Sequence, residues 1–183
     1  MDLLHRAFIL SFFFLLFLLT PLAASAHADE ANTLSHLRPL DNSLQELLDM
    51  GIRDSPSFRA LVDRINASDV VVYLRCSRRL RTGLSGQMTF MGASAGLRYV
   101  VVALDPEGIA ERRVATLGHE LRHVVEVADT PTIIDSRSLG VAYARMGRSG
   151  WLGLGLVFDT VAAIDSGVQI WREVVAGSSR RAE

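Results

Sequence analysis

His119-Glu120-Leu121-Arg122-His123 forms an HExxH pattern inside the run Leu117-Gly118-His119-Glu120-Leu121-Arg122-His123-Val124-Val125-Glu126. Residues four apart lie one turn apart on the same face of an α-helix, so His119 and His123 can hold one metal ion between them. Glu120 sits about 100° round the helix. From there it reaches a water beside the ion rather than the ion itself, the place of a general base. A helix whose His, Glu and Arg form a solvated polar face spells the same pattern, and Arg122 puts a charge at a middle position. Histidine usage favours the metal reading. Of five histidines, His5 and His27 lie in the N-terminal segment, so beyond it two of three fall in the pattern. Cys76 is the only cysteine, which excludes an intrachain disulfide and a site built from several thiolates and leaves His and carboxylates as ligands.

A third ligand is sought further on. The spacing predicts a last helix over 158–176, with Val157, Val161, Ile164, Val168, Trp171 and Val175 as its core stripe and Asp165, Gln169 and Arg172 on its solvent face. Asp159 belongs to neither; it shares a face with Ala162, Ala163, Ser166 and Ile170, small residues that permit close helix approach. A carboxylate aimed at a neighbouring helix is costly to bury unless something positive meets it, and an ion on His119 and His123 would do so. Dipole capping in the first helical turn is the other reading of Asp159. Glu126, i+7 from His119 and i+3 from His123, is the alternative third ligand. Three ligands along one straight helix would span about 10 Å. Hydrogen bonding to a ligand histidine or an arginine, or a plain surface position, are its remaining readings. Asp129 is a further candidate for such support. Tyr143, Arg122 and Tyr99 are the candidates for a separate oxyanion donor, with nothing to choose between them.

The elements that must position these groups follow from local pattern. Helices are expected at 42–50, stopped by Gly51, and at 56–66, with Ser55 as N-cap and Pro56 at the first position. Short β-branched runs predict strands at 69–75, 87–91 and 97–104. The motif helix is expected over 106–128, with Ile109, Val114, Leu117, Leu121, Val124 and Ala128 facing the core. A weaker helix at 136–146 precedes a glycine-rich loop at 148–155, whose Trp151 and Leu152 suggest either a plug or a contact with a partner or membrane. Residues 29–39 and 177–183 read as a loose leader and a polar tail. The order implies an α+β domain: a small, mostly antiparallel sheet packed on the HExxH helix and a closing C-terminal helix.

Residues 7–19 are almost purely apolar, Pro21 breaks the run, and Ala24-Ser25-Ala26 and Ala26-His27-Ala28 are small-x-small cleavage sites. This is the layout of a signal peptide over 1–28, an uncleaved N-terminal anchor being the alternative. It implies a periplasmic or extracellular protein with one domain over 29–183 and no stable membrane insertion once the signal is removed. A formal net charge of −1 gives no pull toward nucleic acid. All basic side chains are Arg, and the oligomeric state is not written in the pattern.

The segments 118–128 and 158–163 (Phe-Asp-Thr-Val-Ala-Ala) resemble the HExxH metallopeptidases, the zincins, of the type whose third ligand is an acid on a following helix. They are also similar to short secreted bacterial proteins of unassigned role, in which the second segment more usually reads Phe-Glu-Thr. The resemblance spans roughly 98–175, and HExxH is its specific part. It implies a sheet packed on the active helix with an edge strand beside the cleft, a place that 97–104 would suit. The expectation is then a zinc-dependent hydrolase, a metallopeptidase acting on a peptide or protein. His119, His123 and Asp159 would bind Zn²⁺ and Glu120 would be the catalytic base, although another divalent metal would suit these ligands nearly as well. The alternative is a non-catalytic zinc-binding or structural cell-envelope protein, since the chain is small for a protease and shows neither a propeptide nor a substrate subdomain.

Overall fold

Two capped helices open the fold. In α1 (Asn42–Asp54) the Asp41 carboxylate accepts the Leu44 N–H; in α2 (Pro56–Asn66) the Ser55 hydroxyl accepts that of Phe58, and Pro56 takes the position where an N–H is not needed. Gly51 does not stop α1. It lies within the helix, where an added Cβ would stand 2.7 Å from the Phe58 ring, so its smallness serves the α1–α2 contact. The computed structural model describes residues 35–182 except 82, 147 and 153–154. The segment read as a signal peptide lies outside them. So do the side chains of 148–158, and with them the expected plug or contact at Trp151.

The fold is α+β. A four-stranded sheet has the order β1 (Leu37–Pro39), β2 (Val70–Cys76), β4 (Leu97–Leu104), β3 (Gly86–Ser94). It is mixed rather than mostly antiparallel: β1–β2 and β2–β4 run parallel, and only β3–β4 is antiparallel. In β2 the face of Val70, Val72 and Leu74 lies in the core, while the other face carries a buried Val71, a half-buried Tyr73 and an exposed Arg75. The α1–α2 pair is the crossover that a parallel β1–β2 connection needs. Residues 95–96, both at positive φ (51° and 79°), close the β3–β4 hairpin as a type I′ turn. β4 is paired along both sides, so the edge expected at 97–104 belongs instead to β3.

Beyond the sheet come α3 (Ala110–Ala128), α4 (Ser136–Met146), a hairpin of β5 (Arg148–Leu152) and β6 (Gly155–Asp159) where a glycine-rich loop was expected, and α5 (Val161–Ala182). α3 runs through the centre: Val114, Leu117, Leu121, Val124 and Val127 are fully buried, whereas Ile109 caps the helix and is exposed. Its C-terminus is gripped by Arg98 of β4. That buried guanidinium donates to the carbonyls of Val127, Ala128, Thr130 and Ile133 and pairs with Asp69 at 2.6 Å.

α5 corrects two expectations. It continues through the supposed polar tail, where Gly177 packs against Asp54 and Arg181 pairs with the Asp54 carboxylate. It is also rotated from the expected phase: Ala163, Ile170 and Val174 face inward, while Val161, Ile164, Val168 and Val175 are exposed. Small residues decide this, since a Cβ on Gly167 would stand 3.3 Å from the His119 Cβ, so this face lets α5 come close to α3. Among the described residues no helix is long and apolar enough to cross a membrane.

Candidate metal centre

The i, i+4 spacing on α3 stacks His119 and His123 edge to face, with ring centroids 5.0 Å apart. Each ring is anchored by a further hydrogen bond. His123 Nδ1 meets Glu126 Oε2 at 2.9 Å, and His119 donates to the backbone carbonyl of Ala163 on α5. Both Nε2 atoms are left facing one carboxylate oxygen, Asp159 Oδ1, at 3.4 Å from His119 and 3.6 Å from His123. Those separations match the edge of about 3.4 Å that metal–ligand bonds of about 2.05 Å impose on a tetrahedral site. One ligand atom from each of the three residues lies within 4.8 Å of the others, so the group can hold a metal ion.

Asp159 reaches this place by a route other than the expected one. It is the last residue of β6, outside α5, and its Oδ1 accepts the Thr160 N–H at 2.8 Å. Thr160 then caps α5 by accepting the Ala163 N–H, and its hydroxyl donates to Glu126 Oε1 at 2.6 Å. Glu126 is buried and turned toward His123, Thr160 and the Tyr143 hydroxyl, which donates at 3.0 Å, rather than toward the space between the histidines. It thus orients His123 in the carboxylate–histidine arrangement common at metal sites. Asp129 lies away from the centre, paired with Arg64. Tyr143 lines the cleft but spends its hydroxyl on His123 and Glu126. Neither Arg122 nor Tyr99 lines it.

Glu120 is only 6% exposed and faces a cleft of about 280 Å³. β3 (Gly86, Gln87, Met88) and α4 (Ser136, Leu139, Gly140) contribute to its walls, with Arg81 and Leu84 beside them. The carboxylate accepts the Met88 N–H, and β3 comes so close that a Cβ on Gly86 would stand 2.8 Å from Glu120 Oε1. Burial pushes the Glu120 carboxyl up to about 7. Burial also lowers His119, helped by the neighbouring His123. In His123 burial acts downward too, but the Glu126 hydrogen bond and the surrounding carboxylates outweigh it and hold the ring above its ordinary value. For Glu126 burial acts upward and is outweighed by hydrogen bonds from His123, Thr160 and Tyr143, so it stays an anion. Burial and Glu126 together push the Tyr143 hydroxyl far up, which fixes it as a donor.

Thr160, Gly86 and Gly167 had not been picked out from the sequence. Only Thr160 carried a signal there, as an N-cap residue directly before an apolar helical run. Comparison with protein-family models, with curated proteins and with solved structures found no match.

Proposed function

We propose that this protein is a zinc-dependent hydrolase, a metallopeptidase working outside the cytoplasm, in the compartment to which its N-terminal segment would direct it. The observation that carries the reading is the convergence of His119, His123 and Asp159 on one point, with the Glu120 carboxylate buried in the adjoining cleft wall. His119, His123 and Asp159 would hold the ion; when bound, it polarises a carbonyl and acidifies water. Glu120, one residue along the helix from the first ligand, takes the proton of the attacking water and passes it to the leaving amine. Glu126, Thr160 and Tyr143 keep the His123 ring in a single orientation. β3 is the outermost strand of the sheet among the described residues, and an extended peptide would add to it by main-chain pairing on either side of Met88, whose N–H Glu120 takes.

The test is metal content and peptide hydrolysis of the purified full chain beside His119→Ala, Asp159→Ala and Glu120→Gln. The expected result is about one zinc per chain, lost in the first two variants. Glu120→Gln should keep the zinc and lose hydrolysis. No bound metal after reconstitution would overturn the site. Zinc retained with no hydrolysis of any peptide would leave the non-catalytic, structural reading standing.

A further inference from the structure

The cleanest apolar stripe in the sequence faces outward. Val161, Ile164, Val168 and Val175 are 57%, 39%, 46% and 38% exposed, and Trp171 is half-buried. Single exposed apolar side chains are ordinary, but a continuous line of them on one helix is not. Their spacing is 3, 4, 3, 4, the a/d repeat by which one helix receives another. The packing face of α5, through Ala163, Ile170 and Val174, points elsewhere, so this seam is additional to the core.

We infer that the seam is a homodimer interface in which α5 packs antiparallel against α5 of a second copy. Charge selects the occupant. Along the open flank of the seam the exposed positions are Asp165, Gln169 and Arg172. An antiparallel register that sets Val168 against Trp171 of the second copy, and Ile164 against its Val175, brings Asp165 opposite its Arg172. The two-fold axis makes the same pair a second time, as an isologous contact requires. A parallel pairing would turn this flank toward Gly167 and Val174 of the second copy, which carry no charge, and would make no such pair. The flank carries one acid and one base, without the basic cluster by which an amphipathic helix holds an anionic membrane.

The test is sedimentation equilibrium of the purified full chain across concentration, with four variants at these exposed positions. Wild type should sediment at twice the monomer mass, and Val168→Asp as a monomer with an unchanged circular dichroism spectrum. Asp165→Arg and Arg172→Asp should each weaken the dimer about tenfold, and the double swap should restore it. A wild type that stays monomeric at about 100 μM, far above a micromolar dissociation constant, would overturn the proposal. So would a dimer that survives Val168→Asp, a double swap no better than either single change, or a monomer whose α5 instead binds anionic phosphatidylglycerol vesicles.

Discussion

Arg98→Ala should be the most damaging single change outside the candidate site. The guanidinium is 4% exposed and makes six hydrogen bonds: two to Asp69 and one each to the carbonyls of Val127, Thr130, Ile133 and Ala128. Asp69 is 42% exposed and rehydrates when its partner goes. Of the carbonyls, those of Val127 and Thr130 keep backbone donors, the N–H groups of Thr130 and Ile133, while those of Ala128 and Ile133 lose theirs at the end of α3 and the turn after it. A buried group left unpaired costs about 1–3 kcal/mol. With water entering part of the vacated space, the total comes to about 3–5 kcal/mol. For a domain of this size that is a fall in Tm of about 6–20 °C. Urea and thermal unfolding followed by circular dichroism would measure it, with Asp69→Asn as comparison at about 1 kcal/mol. An Arg98→Ala loss below about 1 kcal/mol would refute the reasoning. An Asp69→Asn loss as large as that of Arg98→Ala would show that the ion pair, not the satisfied carbonyls, carries the energy.

Gly86→Ala forces a methyl to within 2.8 Å of Glu120 Oε1. It should leave metal stoichiometry intact while hydrolysis falls about 100-fold; an unchanged rate would contradict the positioning of Glu120 by β3. Thr160→Val removes the donor to Glu126, and should weaken metal affinity about 10- to 100-fold in competition with a chelator, with Thr160→Ser near wild type. Equal affinity in all three proteins would count against the support network. The third concerns acid. Arg98 holds the Asp69 carboxyl below its ordinary 3.8. Burial acts upward on Asp54 and Glu173, but hydrogen bonds from Arg181 and Arg53, and from Ser55, Gln169 and Ser57, hold them low as well. Groups with depressed folded values contribute stability that is complete above their ordinary values and lost as pH falls through the folded ones. These pairs should therefore make Tm drop steadily below about pH 4; a Tm unchanged down to about pH 2.5 would rule them out as contributors.

What could be read from the sequence was what local spacing decides. The HExxH helix, the caps at Ser55 and Pro56, and the run 97–104 all declare themselves within a few residues. The parallel pairing of β2 with β1 and β4 is set by partners distant in the chain, and periodicity is silent about it. The phase of α5 was misread for another reason. Hydrophobic periodicity weighs side chains, whereas Ala163 and Gly167 contribute by having almost none, and close backbone approach outweighed a longer apolar stripe. Asp159 stands beside His119 and His123, delivered by the end of a strand and not by a helix face. Thr160 illustrates the limit from the other side: its capping role is written in the sequence, but its hydrogen bond to Glu126, 34 residues away, is not.

β3 loses step with β4 between Phe90 and Gly92. From Gly86 to Phe90 the outermost strand keeps a regular register, and past the bulge it no longer keeps the spacing that a flat neighbour needs. An extended chain laid along it therefore finds regular spacing only before the bulge, with the Met88 N–H there already given to Glu120, and lengthening the chain beyond adds little grip. The same interruption acts as a brake on fibre growth. A nine-residue edge left open could template a further copy of itself, and a kink partway along denies that stacking a flat seat.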